Sequence, residues 1–379
     1  MIYPTWVQQS DAHRTGWEGN NVGKAWALAL GLGIGVAAVA FSQPSLAREN
    51  GLGLADQPGG GTNGSSADVV PVGIFMVDQF FTDQQKLNVG PGAPFNTTAG
   101  NSPNLKVFVN AEVFIFNPGW TFLGASTQFI IAQPFVEADT GNNPGPSGGT
   151  TVGVNDTLFS AQAAWKFGDF HVKIDLGAWA PTGTQQGPAG LNNVGAPLWT
   201  FQPELVLSWE PSNIWGANWN FTAYTYWEIP TENSVTHYQS APLFHADFTA
   251  AGTWGKWTIG PVADYVVQVG HDTSSPFYAN TVVNGTCAGP IGFECLGTSD
   301  FWRWYVGGLL QYNFGPVTLQ FWATGIVASH ASGSSLVTTP VLHDPSVDQT
   351  GYTLWFQASY ALWTPPEAPA PAKAPLIYK

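Results

Sequence analysis

Twelve strand-like segments are joined by connections that alternate between short and long, and few folds tolerate that rhythm. The segments fall near 70–83, 105–116, 120–134, 156–167, 169–181, 197–209, 217–229, 241–254, 256–269, 300–313, 316–330 and 350–364. Five connections are short: Asn117-Pro118-Gly119, Gly168-Asp169, Pro211 to Gly216, Gly255-Lys256 and Phe314-Gly315. Six are long: about 87–104, 135–155, 182–196, 230–240, 270–299 and 331–349. A long connection follows each odd segment and a short one each even segment. The alternation predicts an all-β, antiparallel up-and-down barrel of about 12 strands, with short turns at one end and long loops at the other.

Alternate residues of a strand face opposite sides. In YTLWFQASYALW, Tyr352, Leu354, Phe356, Ala358, Tyr360 and Leu362 form one face, and Thr353, Trp355, Gln357, Ser359, Ala361 and Trp363 the other. Phe201, Pro203, Leu205, Leu207 and Trp209 likewise oppose Thr200, Gln202, Glu204, Val206 and Ser208. Phe170, Val172, Ile174, Leu176 and Ala178 oppose His171, Lys173, Asp175, Gly177 and Trp179. Trp219, Phe221, Ala223, Thr225 and Trp227 oppose Asn220, Thr222, Tyr224, Tyr226 and Glu228, and Phe244, Ala246, Phe248 and Ala250 oppose Leu243, His245, Asp247 and Thr249. A soluble barrel alternates as well, so alternation alone does not say which face is inside.

Three features turn the apolar face toward lipid. Only 9% of residues are charged, against about 25% in a soluble average. Aromatic residues sit near segment ends, at Trp165, Trp209, Trp219, Trp227, Trp257, Trp302, Trp304, Tyr312, Trp355 and Trp363, as interfacial girdles require. Residues 1–47 read as a secretory signal with a long forward extension: Lys24, the apolar run 25–41, then Ser45-Leu46-Ala47. The expected location is a bacterial outer membrane, with the short turns in the periplasm and the long loops outside. Residues 48–69 are Gly-rich and read as a flexible lead-in, 70–364 as the barrel, and 365–379 as a Pro/Ala-rich periplasmic tail.

The formal charge of −14 disfavours a nucleic-acid partner. Cys287 and Cys295 share one loop and are expected to form a local disulfide in an exported chain. The sequence has no G-x-S-x-G elbow, no Gly-rich phosphate loop and no calcium-loop pattern, so neither an enzyme nor a cofactor is expected. His245 and Asp247 lie two apart on one face, with no third ligand at a telling spacing, so no metal site is expected there.

The runs LWTFQPELVLSW, TYWEIPTENSVTHYQSAPLFHADFTAAGTWGKWTIGPVADYVVQ and WRWYVGGLLQYNFGPVTLQF resemble the outer-membrane transporter family of the meta-pathway of phenol degradation. The likeness covers roughly residues 70 to 364 and is most specific at Trp199 to Gln202, Thr231-Glu232-Asn233 with Tyr238 and Ser240, and Phe244 to Asp247. It implies a β-barrel and uptake of hydrophobic aromatic compounds.

With polar faces inward, the lumen collects Glu112, Asp175, Glu204, Glu228, Asp247 and Asp264 against Lys173 and Arg303, with Lys106 and Lys166 nearer the ends, and with His171 and His245. Phe108, Phe114, Phe116, Trp179, Tyr224, Tyr226 and Tyr305 are expected to supply stacking surface. These charges either set selectivity or pair and fill the lumen. The expected function is passive passage of small hydrophobic or aromatic solutes. The alternatives are a lipid-modifying barrel enzyme or a structural or adhesive barrel with a plugged lumen. The expected partners are outer-membrane lipid and the solute.

Overall fold

The computed structural model describes residues 56–89, 104–139, 150–184, 194–234, 239–270, 282–283, 286–287, 299–333 and 347–366. The expected signal segment, residues 48–55, Cys295, the side chain of Cys287 and the tail from 367 lie outside the described residues.

Twelve strands make the wall: β1 (Gly73–Val89), β2 (Asn104–Asn117), β3 (Ala125–Asp139), β4 (Thr157–Phe167), β5 (Phe170–Ala180), β6 (Thr200–Trp209), β7 (Asn218–Pro230), β8 (Leu243–Trp254), β9 (Trp257–Gln268), β10 (Ser299–Asn313), β11 (Val317–Gly333) and β12 (Val347–Trp363). Each pairs antiparallel with its neighbours in sequence, and β1 pairs β12 from Ile74↔Trp363 to Val89↔Val347, which closes the ring. Closure leaves no unpaired strand edge, the condition for a sheet to cross lipid. Two short extensions accompany β3: Thr121–Phe122 at its start and Thr150–Val154 beside its far end. The short turns close tightly. Phe167↔Phe170 and Trp254↔Trp257 are joined by Gly168-Asp169 and Gly255-Lys256, with φ of +69° and +62° at the glycines, a region that a Cβ disfavours.

The faces expected from the sequence hold for β5 to β8: Phe170, Phe201, Leu207, Ile229 and Phe248 are exposed, and their alternates are buried. In β12, Tyr352, Leu354, Phe356 and Leu362 face outward. Trp355 does not join the girdle; it faces the lumen and is buried. The short-turn girdle is a chain of ring contacts. Trp209 stacks between Phe170 at 6.1 Å and Phe221 at 5.3 Å, Trp219 meets Trp254 at 5.8 Å, and Trp257 meets Tyr312 at 4.5 Å. Amphipathic rings in this band fix the height of the barrel in the membrane.

The wall is uneven. Strands β4 to β6 have 10 or 11 residues, whereas β1, β11 and β12 have 17. At about 3.3 Å per residue and a tilt of ~40°, these rise about 25–28 Å and about 40 Å. The short side matches the hydrocarbon thickness, and the tall side projects beyond it at the long-loop end.

Candidate functional site: the lumen and its plug

Residues 56–70 run through the inside of the barrel. This corrects the reading of 48–69 as a flexible lead-in, for the part that is described. Their lower end lies at the short-turn mouth, where Val70 N–H donates to Gln128 at 2.8 Å and Asn117 Nδ2 donates to Val70 O. Ala67 N–H donates to Ser208 Oγ at 2.8 Å. Midway, Asp247 accepts three hydrogen bonds: Gly60 N–H and Thr62 N–H, both at 3.0 Å, and the Thr62 hydroxyl at 2.7 Å. At the long-loop end, Gln57 N–H donates to Glu228 at 2.8 Å. From the other side, Trp322 Nε1 donates to Gly60 O at 3.0 Å and Gln320 Nε2 to Asn63 O at 2.8 Å. Each such bond contributes about 0.5–1.5 kcal/mol net.

The glycines serve close approach rather than flexibility. Gly60 and Gly64 have φ of +80° and +85°. A Cβ on Gly64 would fall 2.4 Å from Gln320 Nε2 and 2.5 Å from Leu309 Cδ1, and one on Gly60 would fall 2.8 Å from Asp264 Oδ1. Consecutive turns, Gly61 N–H to Pro58 O, Asn63 N–H to Gly60 O and Ser65 N–H to Thr62 O, coil the segment so that its other donors and acceptors meet the wall. Ala67 and Val70 complete an apolar cluster with Phe75, Val77, Val113, Ile115, Ile130, Leu158, Trp179, Val206 and Tyr224.

Most of the expected lumen residues converge here. Lys173 donates to Ser66 O at 2.8 Å, and its ammonium sits 5.5 Å from the centre of the Tyr224 ring. Glu204 accepts from Tyr224 Oη and, at 2.6 Å, from Gln202, which also donates to Gln57 at 2.6 Å. Asp175 accepts from Ser160 and Gln162. His245 stacks on Tyr226 at 4.4 Å, with Nε2 3.8 Å from Glu228, and Asp247 is occupied by the plug. Asp264 lies against Gly59 and Gly60. Arg303 Nη1 donates to Gln85 at 3.2 Å, beside Tyr305.

Glu112 does not face the lumen. On β2 the buried residues are Val107, Val109, Val113 and Ile115, while Phe108, Phe114 and Phe116 are exposed, so Glu112 lies on the outer face opposite Asp78. Lys106 shares that outer face. The inward side of β2 from Val107 to Ile115 is apolar, and Lys106, Asn110 and Glu112 lie on its outward side, so the rule of polar faces inward chose the wrong one.

The inward residues of β12 and β1 form a second constellation. Trp355 stacks on Phe81 at 4.3 Å and on Trp322 at 5.2 Å. Gln79 pairs with Gln357 and Phe81 with Trp355 across the two strands. Trp355 Nε1, Gln79 Nε2 and Gln357 Oε1 are buried and have no hydrogen-bond partner. Buried polar atoms ordinarily carry a partner, so these three offer hydrogen-bonding capacity to water or to a polar solute that reaches them. Alternation in 73–89, with Gln79, Phe81, Asp83 and Gln85 on one face, carries the signal for this site.

Beyond the end of β4 on the long-loop side, Asp156 accepts Gly183 N–H at 2.8 Å and Ala196 N–H at 3.0 Å. Burial, helped by the charge of Asp56, pushes its carboxyl up to about 7.

No curated protein matches this sequence. Among solved structures, an outer-membrane channel from Pseudomonas putida F1 aligns with a TM-score of 0.56 at 12% identity, covering 78% of this chain and 98% of that one. The translocator domain of the autotransporter NalP from Neisseria meningitidis aligns at 0.42 and 10% identity, covering 78% and 91%. A FadL homologue from Pseudomonas aeruginosa aligns at 0.39 and 10% identity, covering 86% and 100%. The first establishes the fold as that of an outer-membrane β-barrel, in agreement with the apolar outer face and its girdle. Residues 82–289, more than half of the chain, match the family described as "Putative MetA-pathway of phenol degradation", and the chain belongs to that family.

Proposed function

We propose that the protein is an outer-membrane channel for small aromatic solutes, which pause on the Phe81–Trp355–Trp322 stack before the plug yields. One observation carries this reading. A wall of stacked rings is bordered by buried polar atoms of Trp355, Gln79 and Gln357 that lack partners. A flat solute with one hydroxyl satisfies both, stacking on a ring and exchanging hydrogen bonds with an indole N–H and an amide. The family's association with phenol breakdown fits such a solute, and so do the stacked rings of the lumen.

Ionic current through single barrels in a planar bilayer tests the reading, with phenol as the neutral probe. In the double variant Ala67→Cys/Ser208→Cys, placed where the plug meets β6, oxidation should close the channel and dithiothreitol should reopen it. Phenol should shorten openings in the wild type and have no effect in Trp355→Ala. Equal current in the oxidised and reduced states would sink the lumen route and leave passage along the outer wall. There Phe80, Phe108, Phe135, Phe321 and Phe356 border a hollow of about 460 Å³.

A further inference from the structure

We propose that Asp68, His171 and Glu210 bind one divalent cation of the zinc type at the short-turn mouth, stapling the lower end of the plug to β5 and to the turn after β6. The site is independent of the transport reading, because it concerns how the plug is fastened rather than what passes it. Asp68 belongs to the plug, His171 is the second residue of β5, and Glu210 follows β6 directly.

The tautomer of His171 sets up the site. Its Nε2 lies 3.1 Å from Gly168 O, which is an acceptor only, so Nε2 carries the hydrogen. In the neutral ring, Nδ1 then offers a lone pair, and it points at two carboxylates: Asp68 Oδ1 at 2.8 Å and Glu210 Oε1 at 3.6 Å. These three atoms lie within 4.8 Å of one another. All three are shielded from solvent, Nδ1 and Asp68 Oδ1 stand at hydrogen-bonding distance of one another, and His171 itself is only 8% exposed. Two carboxylates around one ring nitrogen call for a positive charge among them, which a proton on Nδ1 supplies in the ion pair and a metal ion supplies when it takes that proton's place.

One nitrogen and two carboxylate oxygens form a donor set that zinc accepts, leaving a fourth position for water. Bond lengths of about 2.0–2.2 Å place tetrahedral ligands roughly 3.3 Å apart, and the observed 2.8 Å and 3.6 Å fall on either side of that spacing. The Gly168 carbonyl on the far nitrogen is the usual outer support of a metal-bound imidazole. Lys166 lies 2.8 Å from Asp68 Oδ2, so it steadies the carboxylate without covering Oδ1. The Asp68 and Glu210 side chains are 23% and 24% exposed, which gives an ion a way in from the mouth.

Cobalt(II) is the probe, since a tetrahedral cobalt site absorbs strongly in the visible. Titrating the folded, detergent-solubilised barrel should give a saturable band at one cobalt per barrel, displaced by zinc. His171→Gln and Glu210→Gln should each weaken binding by roughly tenfold or more, while Glu137→Gln, on the outer face, should leave it unchanged. Heat-modified gel migration reports that each variant is folded. Failure of the folded wild type to take up cobalt would overturn the proposal and leave an imidazolium ion pair in its place. Binding that survives in His171→Gln would overturn it equally.

Discussion

The short wall, β4 to β9, and the tall wall, β10 to β12 with β1 to β3, solve the same problem differently. Both must fill a lumen that lipid cannot enter. The short wall points Lys173, Asp175, Glu204, Glu228, Asp247 and Asp264 inward, and most of them engage the plug or one another. The tall wall points in Val77, Val109, Val113, Ile115, Phe81, Trp322 and Trp355; Val77, Val113 and Ile115 pack with Ala67 and Val70 of the plug, Trp322 donates to Gly60 O, and Phe81, Trp355 and Trp322 stack on one another. The difference follows from what each side faces. A plug backbone full of donors and acceptors needs polar partners, and its close approach needs glycine. Most of those polar partners come from the short wall; the tall wall supplies fewer, from Trp322, Gln320, Gln128 and Asn117, and fills the rest of its side with rings and branched chains.

Removing a partner from the polar side should have the largest effect. Asp247→Ala leaves two backbone N–H groups and a hydroxyl buried without an acceptor, at about 1–3 kcal/mol each, so the plug should let go while the wall stays closed. Thiol labelling of a Ser66→Cys background should then rise at least several-fold, with heat-modified migration unchanged. Unchanged labelling would mean that the apolar contacts of Ala67 and Val70 hold the plug by themselves.

The tall wall should respond in the opposite way. Trp355→Ala opens a cavity between Phe81 and Trp322 and should cost about 3–5 kcal/mol in urea unfolding. Labelling of Ser66→Cys should stay low. If both variants free the plug, the two walls are one cooperative unit and the contrast between them fails.

This contrast also explains what the sequence could say. Strands β5 to β8 were legible because their inward side is polar and their outward side is not, so a residue such as Lys173 or Thr222 declares its face. Strand β2 was not: its inward Val107, Val109, Val113 and Ile115 are apolar, while Lys106, Asn110 and Glu112 alternate with them on the outside, so polarity pointed to the wrong face. Trp355 misled for a related reason, since an indole suits both an interface and a packed lumen. The plug was hidden because glycine has two uses. A run such as PGGGTNG fits a loose linker as well as a backbone pressed against Asp264 and Gln320, and only the wall's geometry separates them. The Asp68–His171–Glu210 cluster joins a plug residue to two strand ends, and no spacing in the chain announces it.

Glu112 offers a smaller test on the outside of the tall wall. A carboxylate on a lipid-facing strand lowers stability by an amount that depends on depth. Glu112→Leu should therefore stabilise the barrel by on the order of 1 kcal/mol in lipid vesicles, without altering plug labelling. A loss of stability would show that Asp78, Asn110 and Glu112 form a working polar patch rather than a tolerated one.

The smallest effect belongs to Asp156, where the short wall meets the long-loop end of the plug. Its carboxyl sits at about 7 against an ordinary 3.8, because burial and the neighbouring Asp56 disfavour its charge. The folded value is above the unfolded one, so the folded barrel holds this proton more tightly. That stabilisation is complete below the ordinary carboxylate value and is lost as pH rises through about 7. Melting temperature should accordingly climb by a few degrees as pH falls from 8 toward 5, and Asp156→Asn should flatten the climb. Asp56→Asn should shift its midpoint downward, because one of the two causes is removed while burial remains. A midpoint that ignores Asp56→Asn would show that the plug's long-loop end does not act on Asp156 in solution, and that the polar wall engages the plug only from Glu228 downward.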